Sequence, residues 1–144
     1  MTDLSAQIIS EEEGPSSPTV YFVGTPPIAH IGRGVCVDKS IAGAGLPAGI
    51  LAQLDADMLA RAEAEAAQIP GFYDCNDVRQ AVLVSMVYQL GNLDTWLQFR
   101  AALVVKDYTA AATAMLYSRW ASQTPARAAR QSSMMRSGDW VPSA

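Results

Sequence analysis

Ten residues in a row, Ala81 to Leu90 (AVLVSMVYQL), are apolar on nearly every side of a helix. A helix with no face to show to water must be wrapped by the rest of its chain. Asn76 or Asp77 starts it and Gly91 closes it. With 144 residues in all, the chain has room for one such centre, so a single domain spanning 1–144 with one sizeable core is expected. Half of the residues are hydrophobic and 17% are charged, which describes a globular protein and not a disordered one.

The remaining signals are mostly punctuation. Thr2 can cap a first helix that sets Leu4 and Ile8 on one face and stops at Gly14-Pro15. From Pro15 to Gly45 the texture turns to proline, glycine and short β-branched pieces. Thr19 to Val23 and Ile28 to Val37 read as a small hairpin or three short strands. Leu46-Pro47 opens a long helix, with Ile50, Leu54, Met58, Ala62 and Ile69 on one stripe, that ends at Pro70-Gly71. Shorter helices follow over about 94–104, 108–119 and 125–137, the last with Thr124 as N-cap, Pro125 at its first position and Gly138 past its end. The expected class is α+β and mostly helical, with a β lobe over about 15–45, a connecting helix over about 46–69 and a helical lobe over about 74–140.

Charge is unevenly spread. Residues 1–99 hold four basic and twelve acidic side chains, whereas residues 100–144 hold six basic and two acidic ones. Such asymmetry fits either a basic surface for a polyanion or an ordinary basic helical face. No basic run or known motif speaks for nucleic acid. Cys36 and Cys75, with the single histidine, make no metal set and are expected as reduced thiols. No cofactor is implied. No stretch approaches the ~20 apolar residues of a membrane span, and no leader pattern opens the chain, so synthesis in a cytoplasm is expected.

One feature resists a purely structural reading. Glu11, Glu12 and Glu13 crowd the C-terminal end of the first helix, where the helix dipole and mutual repulsion both disfavour carboxylates. A frayed, solvated acidic turn is one explanation. The other is a carboxyl group whose ionisation is disfavoured, as a general acid requires.

The run Ser118-Arg119-Trp120-Ala121-Ser122-Gln123-Thr124-Pro125-Ala126-Arg127-Ala128-Ala129-Arg130, followed by Gly138-Asp139-Trp140, resembles the T-even phage lysozyme family. Val84 to Gly91 is similar to that family's central helix. Glu13-Gly14 and Ile31-Gly32-Arg33-Gly34 resemble its catalytic helix end and glycine-rich strand. The resemblance implies a lysozyme-like two-lobe fold with a small N-terminal β hairpin or sheet and a C-terminal helical bundle. It also implies hydrolysis of the bond from N-acetylmuramic acid to N-acetylglucosamine. Under it Glu13 is the general acid, Arg127 pairs with and orients that acid, and Tyr88 and Gln89 border the substrate cleft. Gly32 permits a tight β segment along the cleft.

The chain departs from the family at the second carboxylate that glycoside hydrolysis usually needs. Between Glu13 and Asp38 there is no acidic residue. His30 falls near the family's water-positioning hydroxyl, and an imidazole can serve as general base or nucleophile. A strand histidine that merely packs is the plainer alternative, and Thr25 is a weaker candidate for the hydroxyl. Trp96, Trp120 and Trp140 read as core anchors. The expected function is a peptidoglycan glycosidase using Glu13 and His30. The alternatives are a lytic transglycosylase and an inactive lysozyme-fold protein that binds peptidoglycan or builds a virion. A monomer acting on glycan strands is expected, delivered by a holin-type release system or carried on the virion.

Overall fold

The computed structural model describes residues 3–15, 17–23, 28–32, 35–36 and 48–144, with side-chain surroundings for 4–15 and 49–144. The chain divides into two compact units, one of residues 1–12 and 61–144 and one of residues 13–60.

In the first unit, helix α1 (Asp3–Glu13) contributes Ile8 and Ile9, both buried. Its expected cap Thr2 lies outside the described residues. Helix α3 (Asp77–Leu90) is the centre that its composition demands, with Ala81 through Val87 all buried. Asn76 caps it by accepting from the Arg79 amide, and Gly91 ends it at φ 85°. Helix α7 (Pro125–Ser137) packs on α3, and α4 (Leu97–Val104), α5 (Tyr108–Leu116) and α6 (Arg119–Gln123) join the bundle through α5 and α7. Phe99, Leu103, Met115, Trp120, Met134 and Met135 fill the space between them. A buried polar pair joins α7 to α3, Gln131 Nε2 donating to Ser85 Oγ at 2.9 Å.

Three local details differ from expectation. The helix expected over 108–119 stops at Leu116, because Ser118 accepts from the Ala121 amide and starts the separate helix α6. Thr124 occupies the N-cap position of α7 without capping it. Its hydroxyl donates back to the Trp120 carbonyl at 3.0 Å, a local bond that competes with the cap. Residues Phe72–Asp74 form a 3-10 turn after Gly71. A Cβ at Gly71 would lie 2.9 Å from the Leu103 carbonyl oxygen, so glycine lets this turn press against α4.

The second unit carries strands β1 (Ser17–Val23), β2 (Ile28–Gly32) and β3 (Val35–Cys36) in one antiparallel ladder with β2 in the middle. Tyr21 pairs with His30, and His30 with Cys36. The helix expected over 46–69 is α2 (Ala48–Ala66), and the boundary between the units falls inside it.

The expected class, a lysozyme-like two-lobe α+β fold, needs correction. Among residues whose side chains are described, 74% are helical and none lies in a strand. By that measure the fold is all-helical. The physical reason is that α3 is covered by other helices, so no sheet is needed to bury its apolar surface.

Candidate functional site

The charged C-terminal end of α1 meets the first turns of α7. Arg127 Nε donates to Glu12 Oε2 at 3.0 Å, and Arg127 Nη2 donates to the Glu12 carbonyl at 2.7 Å. Three residues on, Arg130 Nη1 donates to Glu12 Oε1 at 2.8 Å and Arg130 Nη2 donates to Glu11 Oε2. The remaining Arg130 nitrogen, Nε, donates to the Val141 carbonyl at 2.7 Å, and the guanidinium lies 5.2 Å from the Trp140 ring centroid. The side chains of Glu12, Arg127 and Arg130 are only 11%, 15% and 10% exposed. They are therefore too sheltered for the near-zero worth of a surface ion pair. Both oxygens of Glu12 are occupied, which makes it a counter-ion to the two arginines.

This network answers part of the puzzle of the three glutamates. Two carboxylates at the unfavourable end of α1 are matched by two guanidinium groups from another helix. Glu13 is the third, half-buried at the last residue of α1, before Gly14 turns the chain at φ 71°. Arg127, the arginine expected to orient Glu13, makes an ion pair with Glu12. Glu13 itself begins the second unit.

His30 sits on the central strand β2, and Gly32 ends that strand opposite Ser17. Thr25 lies outside the described residues. Tyr88 and Gln89 are half-buried in the last turn of α3. Gln89 Oε1 accepts from Trp120 Nε1 at 2.7 Å, so the polar break in this helix fastens it to α6. Trp120 is buried and stacks edge to face with Trp96, and Trp96 with Phe99. These rings floor a cavity of about 650 Å³ whose rim includes Leu90, Leu97 and Arg119.

Elsewhere, Cys75 is a free buried thiol, and burial pushes its pKa up against the opposing influence of Tyr108 and Arg79. Cys36 is placed on β3. Among the described residues there is no cluster of His, Cys, Asp or Glu fit for a metal, and no helix long and apolar enough to cross a membrane.

Sequence reasoning missed Glu12 and Arg130. Their signal was present: Arg127 and Arg130, three apart, share one face of α7 and can meet a single acidic patch together. No family model matches the sequence, and no characterised protein matches it.

Proposed function

We propose that this protein is a peptidoglycan glycosidase of muramidase type, related to the T-even phage lysozymes, with Glu13 as general acid. The observation that carries this reading is the end of α1. Three successive carboxylates stand where the helix dipole opposes them, with Arg127 and Arg130 bonded to Glu11 and Glu12. The dipole and mutual repulsion disfavour this placement, and a carboxyl required there for chemistry accounts for its being kept.

In this reading Glu13 protonates the leaving oxygen as the sugar develops oxocarbenium character. His30 on β2 supplies the electron pair, by attacking the anomeric carbon or by deprotonating water. Tyr88 and the Gln89 amide are the glycan contacts proposed in the first unit, and Gly32 the one proposed in the second. The protein meets glycan strands after release from the cytoplasm or from a virion.

The absence of any acidic residue between Glu13 and Asp38 favours a second reading, lytic transglycosylation. There Glu13 alone acts as acid and then base, and the muramic acid's own hydroxyl closes an anhydro ring. Digestion of purified peptidoglycan followed by mass analysis separates the two. Hydrolysis adds one water to each product, and transglycosylation adds none. Glu13→Gln should fold normally and lose at least ~100-fold in rate under either chemistry. No products from the wild-type protein, or near-native rates from a folded Glu13→Gln variant, would sink the assignment.

A further inference from the structure

We propose that the cavity floored by Trp96, Trp120 and Phe99 binds a small aromatic carboxylate, with its flat body on the rings and its acid group on Arg119. None of the residues lining the cavity is among those proposed to act on glycan. The proposal is therefore independent of the glycosidase reading.

A volume of about 650 Å³ lies in the range that small organic molecules fill. The lining is mostly apolar and aromatic with a few polar groups, the composition by which such sites bind a body and fix its orientation. The rings are held in place by the protein itself. Trp120 is buried, and its indole N–H is spent on Gln89 Oε1 at 2.7 Å. Trp96 meets Trp120 at 68° and Phe99 at 75°, so it is braced from two sides. It nevertheless stays half-buried, and its open surface belongs to the cavity. A flat aromatic group placed there gains apolar burial and ring–ring contact together. Leu97 on the rim is 72% exposed, further apolar surface for an occupant to cover.

Charge selects the head group. Arg119 lines the cavity, and among the described residues no acidic side chain does. Arg100, Lys106, Arg127 and Arg130 each have a carboxylate partner, whereas Arg119 makes no ion pair among the described residues. The two oxygens of a carboxylate match the planar fork of a guanidinium. Gln98 and Gln123 add amide donors to the same lining.

The test titrates the full chain with naphthoate and with its neutral counterpart, naphthalenemethanol. Calorimetry gives the affinities, and NMR follows the indole N–H signals of the three tryptophans. Trp96 and Trp120 should shift. Trp140, beside the already paired Arg130, should not. Naphthoate should bind with a Kd below about 1 mM, the scale for a ligand of its size. It should bind about tenfold more tightly than the alcohol, the difference made by one charge-assisted contact. Arg119→Met removes an exposed charge with no ion pair among the described residues, so the fold should be kept. It should weaken naphthoate about tenfold and leave the alcohol within about twofold. Ala114→Leu, which adds bulk to the cavity wall, should weaken both ligands. If that variant does not fold, Leu97→Asp on the exposed rim should weaken naphthoate alone.

Equal affinity of wild type for the acid and the alcohol would overturn the proposal. So would naphthoate binding unchanged by Arg119→Met, or shifts confined to Trp140. Displacement of naphthoate by peptide-free glycan strands would give the cavity to the glycan and overturn it as well.

Discussion

The unit of residues 1–12 and 61–144 and the unit of residues 13–60 handle their apolar side chains differently. In the first, Leu83, Val84, Met86, Leu103, Met134 and Met135 are wholly buried. In the second, none of the described side chains from Gly49 to Ala60 is buried, and Ile50 is 56% exposed. The first unit carries its own core. In the second, the described structure is strand pairing and the first part of α2. Substitutions in the first unit should therefore be felt mainly as lost stability, while the second carries Glu13 and His30, whose loss would be felt as lost activity under the proposed function.

The sharpest way to break this comparison is to truncate one leucine in each unit. Leu83→Ala should cost about 2–5 kcal/mol, the sum of lost transfer energy and a cavity that cannot collapse. Leu54→Ala, at a half-buried position on α2, should cost less than half as much. Urea denaturation measures both, and equal costs would show that the second unit has a core of its own.

A smaller effect is expected where α7 ends against the start of α3. Gly138 has φ 78°, and a Cβ there would lie 2.9 Å from Asn76 Nδ2 and 3.0 Å from Arg79 Cζ. Asn76 Nδ2 donates to the Gly138 carbonyl, and Arg79 donates to the carbonyls of Met135 and Arg136, so neither side chain can retreat without breaking bonds. Gly138→Ala should cost about 1–2 kcal/mol of left-handed strain plus the loss of this docking. Gly91→Ala, also at positive φ but with nothing within 4 Å of the added carbon, should cost only the strain. Equal destabilisation in thermal melts would mean the Asn76–Arg79 docking contributes nothing.

The smallest effect is a pH dependence confined to the first unit. Burial raises the pKa of the Cys75 thiol in the folded protein above its ordinary value, and burial likewise raises that of Tyr108 beside it. An acid whose folded pKa is raised binds its proton more tightly in the folded state than in the unfolded one. Stability is thus intact below the thiol's ordinary pKa near ~8.5 and falls as pH climbs above it. Melting temperature should decline between pH ~8.5 and ~10, and Cys75→Ala should flatten that decline, leaving the Tyr108 contribution above pH ~10. Identical slopes for the two proteins would remove Cys75 from the account.

The caps show how far reading alone carries. Asn76, Pro125, Gly91 and Gly138 mark helix boundaries through bonds made within a few residues, so local chemistry locates them. Ser118 was overlooked because an apolar run continues through Leu116 and hides the new start. Thr124 misled because its hydroxyl had two local acceptor and donor choices, and the neighbouring turn of α6 decided between them. The unevenly placed glutamates were visible as a conflict with the helix dipole, while the choice of Glu13 among the three came from the Glu13-Gly14 resemblance. That Arg127 and Arg130 both bond Glu12 was not legible, since Glu11, Glu12 and Glu13 are chemically alike and only the docking of α1 on α7 brings Glu12 between the two arginines.

By itself, then, the sequence determined that α3 is a buried centre, that helices begin and end at specific polar and glycine residues, and that carboxylates crowd the end of α1. Periodicity, backbone conformation and charge are properties of neighbours along the chain. The tertiary structure alone decided that helices cover α3, that Gln89 fastens to Trp120, and that Arg127 and Arg130 close on Glu12. Those outcomes depend on which groups distant in sequence meet in space, and several of them were equally available to the chain's local chemistry.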